Sequence, residues 1–277
     1  MSAGDVAVRI KGVGHQFGEA GEAQYVRALA DTSLDIMRGE LLCLIGPSGC
    51  GKSTLLNVVG GLMDPTNGSV EVSGQPLRGP RPHEIAFVFQ ENALFPWNTV
   101  EENVRLGMLF QGVPKSEHEA RTRKSLETVG LADFARHYPG QLSGGMRQRA
   151  ALARALALQT GILLMDEPFA ALDALTRDEM QRLLAEVWRT TRKTVIYVTH
   201  NVAEAVFLAD RVAVFSARPG MIKKIITVDE PHPRNPGFVT SEKFTALRNE
   251  LYALLHDEIR KAVSESSPAR NGAGGTA

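Results

Sequence analysis

The stretch GPSGCGKST, Gly46 to Thr54, constrains this chain more than any other. It follows a short apolar run, ELLCLIG, and leads into KSTLLNVVGGL, whose apolar residues recur at helical spacing until Gly60 and Gly61 stop them. Strand, glycine-rich loop and helix in that order, with the spacing G-x-x-x-x-G-K-[ST], form a phosphate-binding loop. The glycines let backbone N–H groups close around phosphates at the positive end of a helix. Lys52 is expected to reach the β and γ phosphates and Ser53 to hold Mg²⁺. The candidate nucleotide contacts are Gly46, Pro47, Ser48, Gly49, Cys50, Gly51, Lys52, Ser53 and Thr54.

Two more apolar runs stop abruptly on polar residues, GILLMDE on Asp166 and Glu167, and KTVIYVTH on His200. Short continuous apolar runs alternating with helices predict an α/β fold with a largely parallel sheet, whose ligands gather at the carboxyl ends of the strands. Asp166 is expected to hold Mg²⁺ directly or from the second sphere. Glu167, pointing differently from the same strand end, faces the attacking water as general base.

The stretches VAVRIKGV, SLDI, SVEVSG and IAFVFQ read as further strands, some in an antiparallel layer. Between residues 90 and 160 the character changes to helices, VEENVRLGMLFQ, KSEHEARTRKSLETVG and GGMRQRAALARALAL, joined by short loops. One ATPase domain is therefore expected over 6–230, with a core of 6–89 and 161–230 and a helical subdomain over 90–160. A proline-rich extended segment and an amphipathic helix follow over 231–263, then a disordered tail over 264–277. The 277 residues, 43% hydrophobic, can bury such a core.

Lys plus Arg (31) equals Asp plus Glu (31), which argues against a protein held by nucleic-acid phosphates. No apolar run approaches the length of a membrane span, and the first residues lack a signal-peptide pattern, so a cytosolic protein is expected. That makes the sequon at Asn67 idle. Cys43 and Cys50 are too few for a disulfide framework and fit no zinc pattern.

LSGGM, Leu142 to Met146, resembles the signature of ATP-binding cassette proteins, and other motifs of that family appear in the family's order. Gln90 in FVFQENALFPW matches its Q-loop, GILLMDEP its Walker B strand, AALD its D-loop and His200 its switch histidine. The resemblance implies a P-loop NTPase core with a mixed, largely parallel sheet, an N-terminal antiparallel β layer and an inserted helical subdomain. It also implies a head-to-tail homodimer in which ATP lies between the phosphate loop of one copy and Ser143, Gly144 and Gly145 of the other. The residues fit that role. Ser143 supplies a hydroxyl, the glycines allow close approach, and the helix beginning there aims its positive end at a γ-phosphate.

By the same resemblance His200 contacts the γ-phosphate and positions Glu167 and water, Gln90 touches Mg²⁺ or the water, and Asp173 crosses the dimer interface. Asp173 can equally cap the helix that follows it. The family stacks adenine on an aromatic after the first strand, which selects Phe17, with Tyr25 as substitute. Cys50, at a helix amino end, is expected to be a reactive thiol that ATP protects, and Cys43 an inert core residue. Ala170 stands where many relatives carry serine or glycine.

Three functions compete: a transporter motor, a mechanical ATPase of DNA repair or ribosomes, and a P-loop kinase. A kinase has no use for the signature, the Q-loop glutamine and the switch histidine together. The stretch from Lys52 to Ser143 leaves no room for the coiled-coil arm of the repair proteins, and a single cassette does not suit the ribosomal ones. A transporter motor remains, peripheral on the cytoplasmic side of a bacterial inner membrane and bound to two permease subunits fed by a solute-binding protein. Leu94, Phe95, Pro96 and Trp97 offer an apolar seat for a permease helix or, equally for each side chain, an internal patch of the helical insert. LFPWNTVEENV and PHPRNPGFVTSEKFTALRNEL look like the cassettes of nitrate, aliphatic sulfonate and taurine importers.

Overall fold

The computed structural model describes residues 5–19, 21–22 and 25–266. The chain begins with a long hairpin, β1 (Val6–Phe17) and β2 (Val26–Met37), followed by β3 (Leu41–Ile45) and, across the phosphate loop, α1 (Lys52–Val59). Three short strands follow, β4 (Asn67–Val72), β5 (Gln75–Pro76) and β6 (Ile85–Val88). The helical insert holds α2 (Val100–Phe110), α3 (Lys115–Thr128) and α4 (Gly144–Ala157). The core resumes with β7 (Ile162–Asp166), α5 (Ala174–Thr191), β8 (Thr194–Val198), α6 (Val202–Leu208), β9 (Arg211–Phe215) and β10 (Ile222–Thr227), and α7 (Glu242–Ser266) closes it.

Two sheets result. The central one has the order β10-β9-β3-β8-β7-β6, all neighbours parallel except the edge strand β10. The other is antiparallel, β2-β1-β4-β5. Strands β3, β7 and β8 are apolar on both faces because both are covered. Leu41, Cys43 and Ile45 face the helical side with α5 and α6, whereas Leu42 and Leu44 face α1 and the antiparallel sheet. Each fully buried aliphatic side chain there contributes roughly 1.5–3 kcal/mol.

The order β3-β8-β7 matters for the site. In register, Leu44 pairs with Val198 and Val198 with Asp166, so the phosphate loop, His200 and the Asp166–Glu167 pair leave one edge of one sheet side by side. Gln90 leaves the neighbouring strand, where Val88 pairs with Met165. The parallel core, the antiparallel layer and the helical insert follow the expected fold class.

Other expectations shift. Strands β9 and β10 were not foreseen, although RVAVF is itself a short apolar run. The proline-rich segment contains a short 3-10 turn at Pro236–Thr240, capped by the Asn235 side chain, which accepts from the Phe238 N–H at 2.9 Å. The last helix runs to Ser266 rather than ending at 263, and residues 267–277 of the expected tail lie outside the described residues. The insert's loops are not all short. The chain from 129 to 143 makes two single 3-10 turns before α4 begins.

Candidate functional site

The phosphate loop is built by what α1 lacks. Its N-cap is Gly51, with no side-chain cap and no acidic residue in the first turn, so its leading N–H groups have no carboxylate or hydroxyl of their own. Gly49 and Gly51 take φ +74° and +100°, the left-handed conformations that wrap the chain back on itself. Lys52 is 5% exposed, and its Nζ donates to the carbonyls of Gly46 and Pro47, each at 2.9 Å. A buried ammonium needs such partners, and here they hold it against the loop. Pro47 has no N–H to offer a phosphate, so its part is to shape the loop and face Lys52.

Cys50 departs from expectation. Its side chain is 1% exposed and belongs to the core cluster under α1, with Sγ 3.6 Å from Lys52 Nζ. Burial pushes the thiol pKa up, and the nearby Lys52 only partly offsets this. A helix amino end lowers a thiol pKa where the thiol stays solvated, whereas this one points inward. Cys50 is thus an inert core thiol that leaves only its backbone to a ligand. Cys43 is buried as expected, and its thiol is also pushed up by burial.

Ser53 Oγ donates to Asp166 Oδ1 at 2.9 Å, joining the start of α1 to the end of β7. Burial raises the Asp166 carboxyl above its ordinary range; the Ser53 bond opposes this and the adjacent Glu167 adds to it. These are hard oxygen donors suited to Mg²⁺, a small cation held by one or two carboxylates plus phosphates and water. Thr54, the next residue, is half-buried, and Ser48 is exposed at the loop tip.

Glu167 takes φ +43°, an unusual conformation for a side chain of this size. The turn brings its carboxylate to His200, whose Nδ1 lies 3.1 Å from Glu167 Oε2. Two groups expected to act together are therefore in contact. A cavity of about 10 Å³ lies behind them, lined by Phe169, Arg177, Thr199 and Glu204 among others, with space for about one water.

Ser143 caps α4, accepting from Met146 N at 3.2 Å. The two glycines behind it differ. A Cβ at Gly144 would meet nothing closer than 4.0 Å, but one at Gly145 would lie 2.7 Å from Thr176 Cγ2 in the first turn of α5. A side chain at Gly145 would thus run into α5 of its own chain, whereas Gly144 has open space; Gly144 is exposed and Gly145 partly so. Asp173 caps α5 through Thr176 N at 3.1 Å, a bond that holds its carboxyl below the usual range. Ala170 lies between Glu167 and this cap, its N–H donating to the Glu167 carbonyl at 3.2 Å.

Gln90 and Phe17 are exposed. Phe17 ends β1 with its ring edge-on to His15, centroids 4.7 Å apart. Tyr25, across the hairpin mouth, donates to Gln16 Oε1 at 3.2 Å. The same hairpin borders the phosphate loop, since a Cβ at Gly51 would come within 2.7 Å of the Ala28 carbonyl.

Sequence reading missed four supporting side chains. Glu204 is 4% exposed and accepts from Thr199, from Tyr197 at 2.7 Å and from Gln181 at 3.2 Å, fixing the turn that carries His200. Arg177 donates to the carbonyls of Phe169 and Leu172 and so shapes the segment before Asp173. Arg154 on α4 donates to the carbonyls of Asn92 and Ala93, tying the signature helix to the loop after Gln90. Asn103, fully buried, bonds to Phe95, Asn98 and Thr99 and holds out a loop on which Trp97 is 71% exposed. The one sequence signal for any of these was Asn201 followed three residues later by Glu204, the pattern of a helix start just after His200.

A cavity of about 640 Å³ opens at the other end of the strands, lined by Arg38, Arg121, Lys124, Arg192 and Lys193. It faces the carboxyl ends of α3, α4 and α5, where cations are favoured by the helix dipoles. The chemistry lies at the opposite edge.

The sequence matches the model of the ABC transporter family over residues 29–170. The chain belongs to the ABC transporter family. It is the ATP-binding cassette of such a system, an ATPase. It is 47% identical over 240 residues to a putative ATP-binding protein of Brucella abortus, covering 87% of this chain and 92% of that one. It is 45% identical to the taurine import ATP-binding protein of Jannaschia sp., over 84% of this chain and 88% of the relative. A cassette solved as a dimer in a post-hydrolysis state with ADP and Pi superposes with a TM-score of 0.72 at 33% identity, covering 81% of this chain and all of that one. No helix among the described residues is long and apolar enough to cross a membrane.

Proposed function

We propose that this cassette is the motor of a bacterial importer, hydrolysing ATP in a head-to-tail homodimer to drive uptake of a small anion such as nitrate, an aliphatic sulfonate or taurine. The observation that carries the solute class is the likeness, over most of both chains, to cassettes named for taurine import.

In this reading the uncapped start of α1 and the loop N–H groups bind the phosphates, and Lys52 adds its charge. Glu167 takes a proton from water as the water oxygen attacks the γ-phosphorus and ADP leaves. His200, in contact with Glu167, keeps that carboxylate aimed. Ser53, Asp166 and Gln90 would hold Mg²⁺, which neutralises phosphate charge when bound. Ser143 and Gly144 of the partner copy close the site over the γ-phosphate, and Asp173 meets the partner near the same place. Phe17 stacks on adenine.

The cassette would sit on the cytoplasmic side of the cell membrane against two permease subunits, themselves served by a solute-binding protein. The exposed rings of Phe95 and Trp97, centroids 5.5 Å apart, offer an apolar seat for a permease helix. The test is to isolate the membrane complex, identify its solute-binding protein and measure that protein's melting temperature with each anion. Taurine, a sulfonate or nitrate should raise it; if none does, the solute class is wrong.

A further inference from the structure

The turn between β9 and β10, Ser216 to Met221, lies against the outside of the phosphate loop. Arg218 Nε donates to the Gly49 carbonyl at 3.0 Å. The fit is close, since a Cβ on Gly49 would come within 2.8 Å of Arg218 Nη2 and one on Gly220 within 1.8 Å of the Cys50 carbonyl oxygen. The turn is closed on itself by Ser216, whose N–H donates to the Met221 carbonyl at 2.9 Å and whose Oγ accepts from Met221 N at 3.1 Å. It is also pinned to β2, with Gly220 exchanging hydrogen bonds with Ala28 and Ala30 at 2.9 and 2.8 Å.

From its far side the turn is held by the C-terminal helix. Glu258 on α7 is 3% exposed; its Oε2 accepts from Ala217 N at 3.0 Å and its Oε1 from Lys223 Nζ. Lys224 and Glu250 make a second ion pair between β10 and α7, at 2.7 Å. A continuous set of contacts thus runs from α7 through Glu258, Ala217 and Arg218 to the carbonyl of Gly49, and Gly220 of the same turn lies close against the carbonyl of Cys50.

Both carbonyls belong to the glycine-rich loop between β3 and α1. In a planar trans peptide the C=O and N–H point opposite ways, so the Arg218 bond to the Gly49 carbonyl also sets the direction of the Cys50 N–H, which turns back onto the Pro47 carbonyl at 3.3 Å and closes the loop. We propose that Arg218 is a positioning residue of the phosphate loop and that α7, through Glu258, is the brace that holds Arg218 in place. The proposal rests on the reading that this loop binds the phosphates of ATP. It gives the C-terminal extension a task in nucleotide affinity.

The test uses the full-length chain, the Kd for a fluorescent ATP analogue with Mg²⁺, and the KM and kcat for ATP. Losing one charged hydrogen bond to the loop should raise Kd and KM about tenfold in Arg218→Ala while kcat stays within about twofold. Arg218→Lys, which keeps a cationic donor, should recover most of the affinity. The isosteric Glu258→Gln should raise Kd by about threefold in the wild-type background and by nothing further in Arg218→Ala, because both act through one contact.

A lowered melting temperature with unchanged Kd in Arg218→Ala would make the residue merely structural and overturn the proposal. Independent, additive effects of the two substitutions would remove α7 from it. Lys52→Ala separates the underlying reading: if that variant binds ATP as well as the wild type does, the loop is not the phosphate site. If it loses binding while Arg218→Ala does not, the brace alone fails.

Discussion

Lys52 and Ser143 stand in the two halves of the proposed nucleotide site, and the chain treats them in opposite ways. Lys52 is 5% exposed, held by two carbonyls, in a loop packed by β2 on one side and the β9–β10 turn on another. Ser143 and Gly144 are exposed at the start of α4, where the Ser143 hydroxyl accepts from the Met146 N–H ahead of it. A surface that must grip phosphates before a partner arrives is preorganised from within. A surface that acts on another copy is kept open and anchored from behind.

The comparison predicts which substitutions uncouple binding from turnover. The largest effect is expected from Glu167→Gln, where loss of the base should slow hydrolysis by about a hundred- to ten-thousand-fold. ATP binding should persist, because the cradle is untouched, and the ATP-bound chain should collect as dimer in size-exclusion chromatography. Turnover at the wild-type rate would refute the assignment of Glu167.

Ser143→Arg comes next. The monomer's ATP affinity should stay unchanged while hydrolysis falls by about a hundredfold or more, since the partner's phosphate loses a donor and gains an obstruction. The lost cap adds about 1 kcal/mol of destabilisation. Weakened binding to the monomer would mean that both halves serve one chain.

A smaller effect separates the paired glycines. Gly145→Ala should destabilise the fold by about 1–3 kcal/mol in denaturant unfolding, and Thr176→Ser should relieve it by removing the methyl in the way. Gly144→Ala should leave stability unchanged or raised by about 0.5 kcal/mol, and should cost hydrolysis only. Equal unfolding free energies for the two variants would show that Gly145 is not packed on α5.

The smallest expected effect is a null one at Cys50. A maleimide should label neither cysteine in the native chain at neutral pH, with or without ATP, and both after unfolding. Rapid native labelling that ATP blocks would put the thiol back on the loop surface.

The parallel core was legible because its strands are buried on both faces and therefore read as unbroken apolar runs, each ending where polarity is needed. That pattern located Lys52, Asp166, Glu167 and His200 together. The helical insert was legible from its 3.6-residue periodicity. Residues whose work depends on pairings distant in sequence were hidden: Arg218 reaches Gly49, Glu258 reaches Ala217, and Arg154 reaches Asn92. Cys50 was misread for a related reason. Its position at a helix start is visible in the sequence, but the direction of its side chain is set by the core beneath α1.

The close approach of Gly145 to Thr176, with the Arg149–Glu179 ion pair at 2.9 Å behind it, sets the signature beside the Asp173 turn like two teeth of one jaw. A partner copy that met both would meet them at one spacing. Two cassettes would then recognise each other as a lock reads a key with two teeth cut from a single blank, and a mismatch at either tooth rejects the whole pairing.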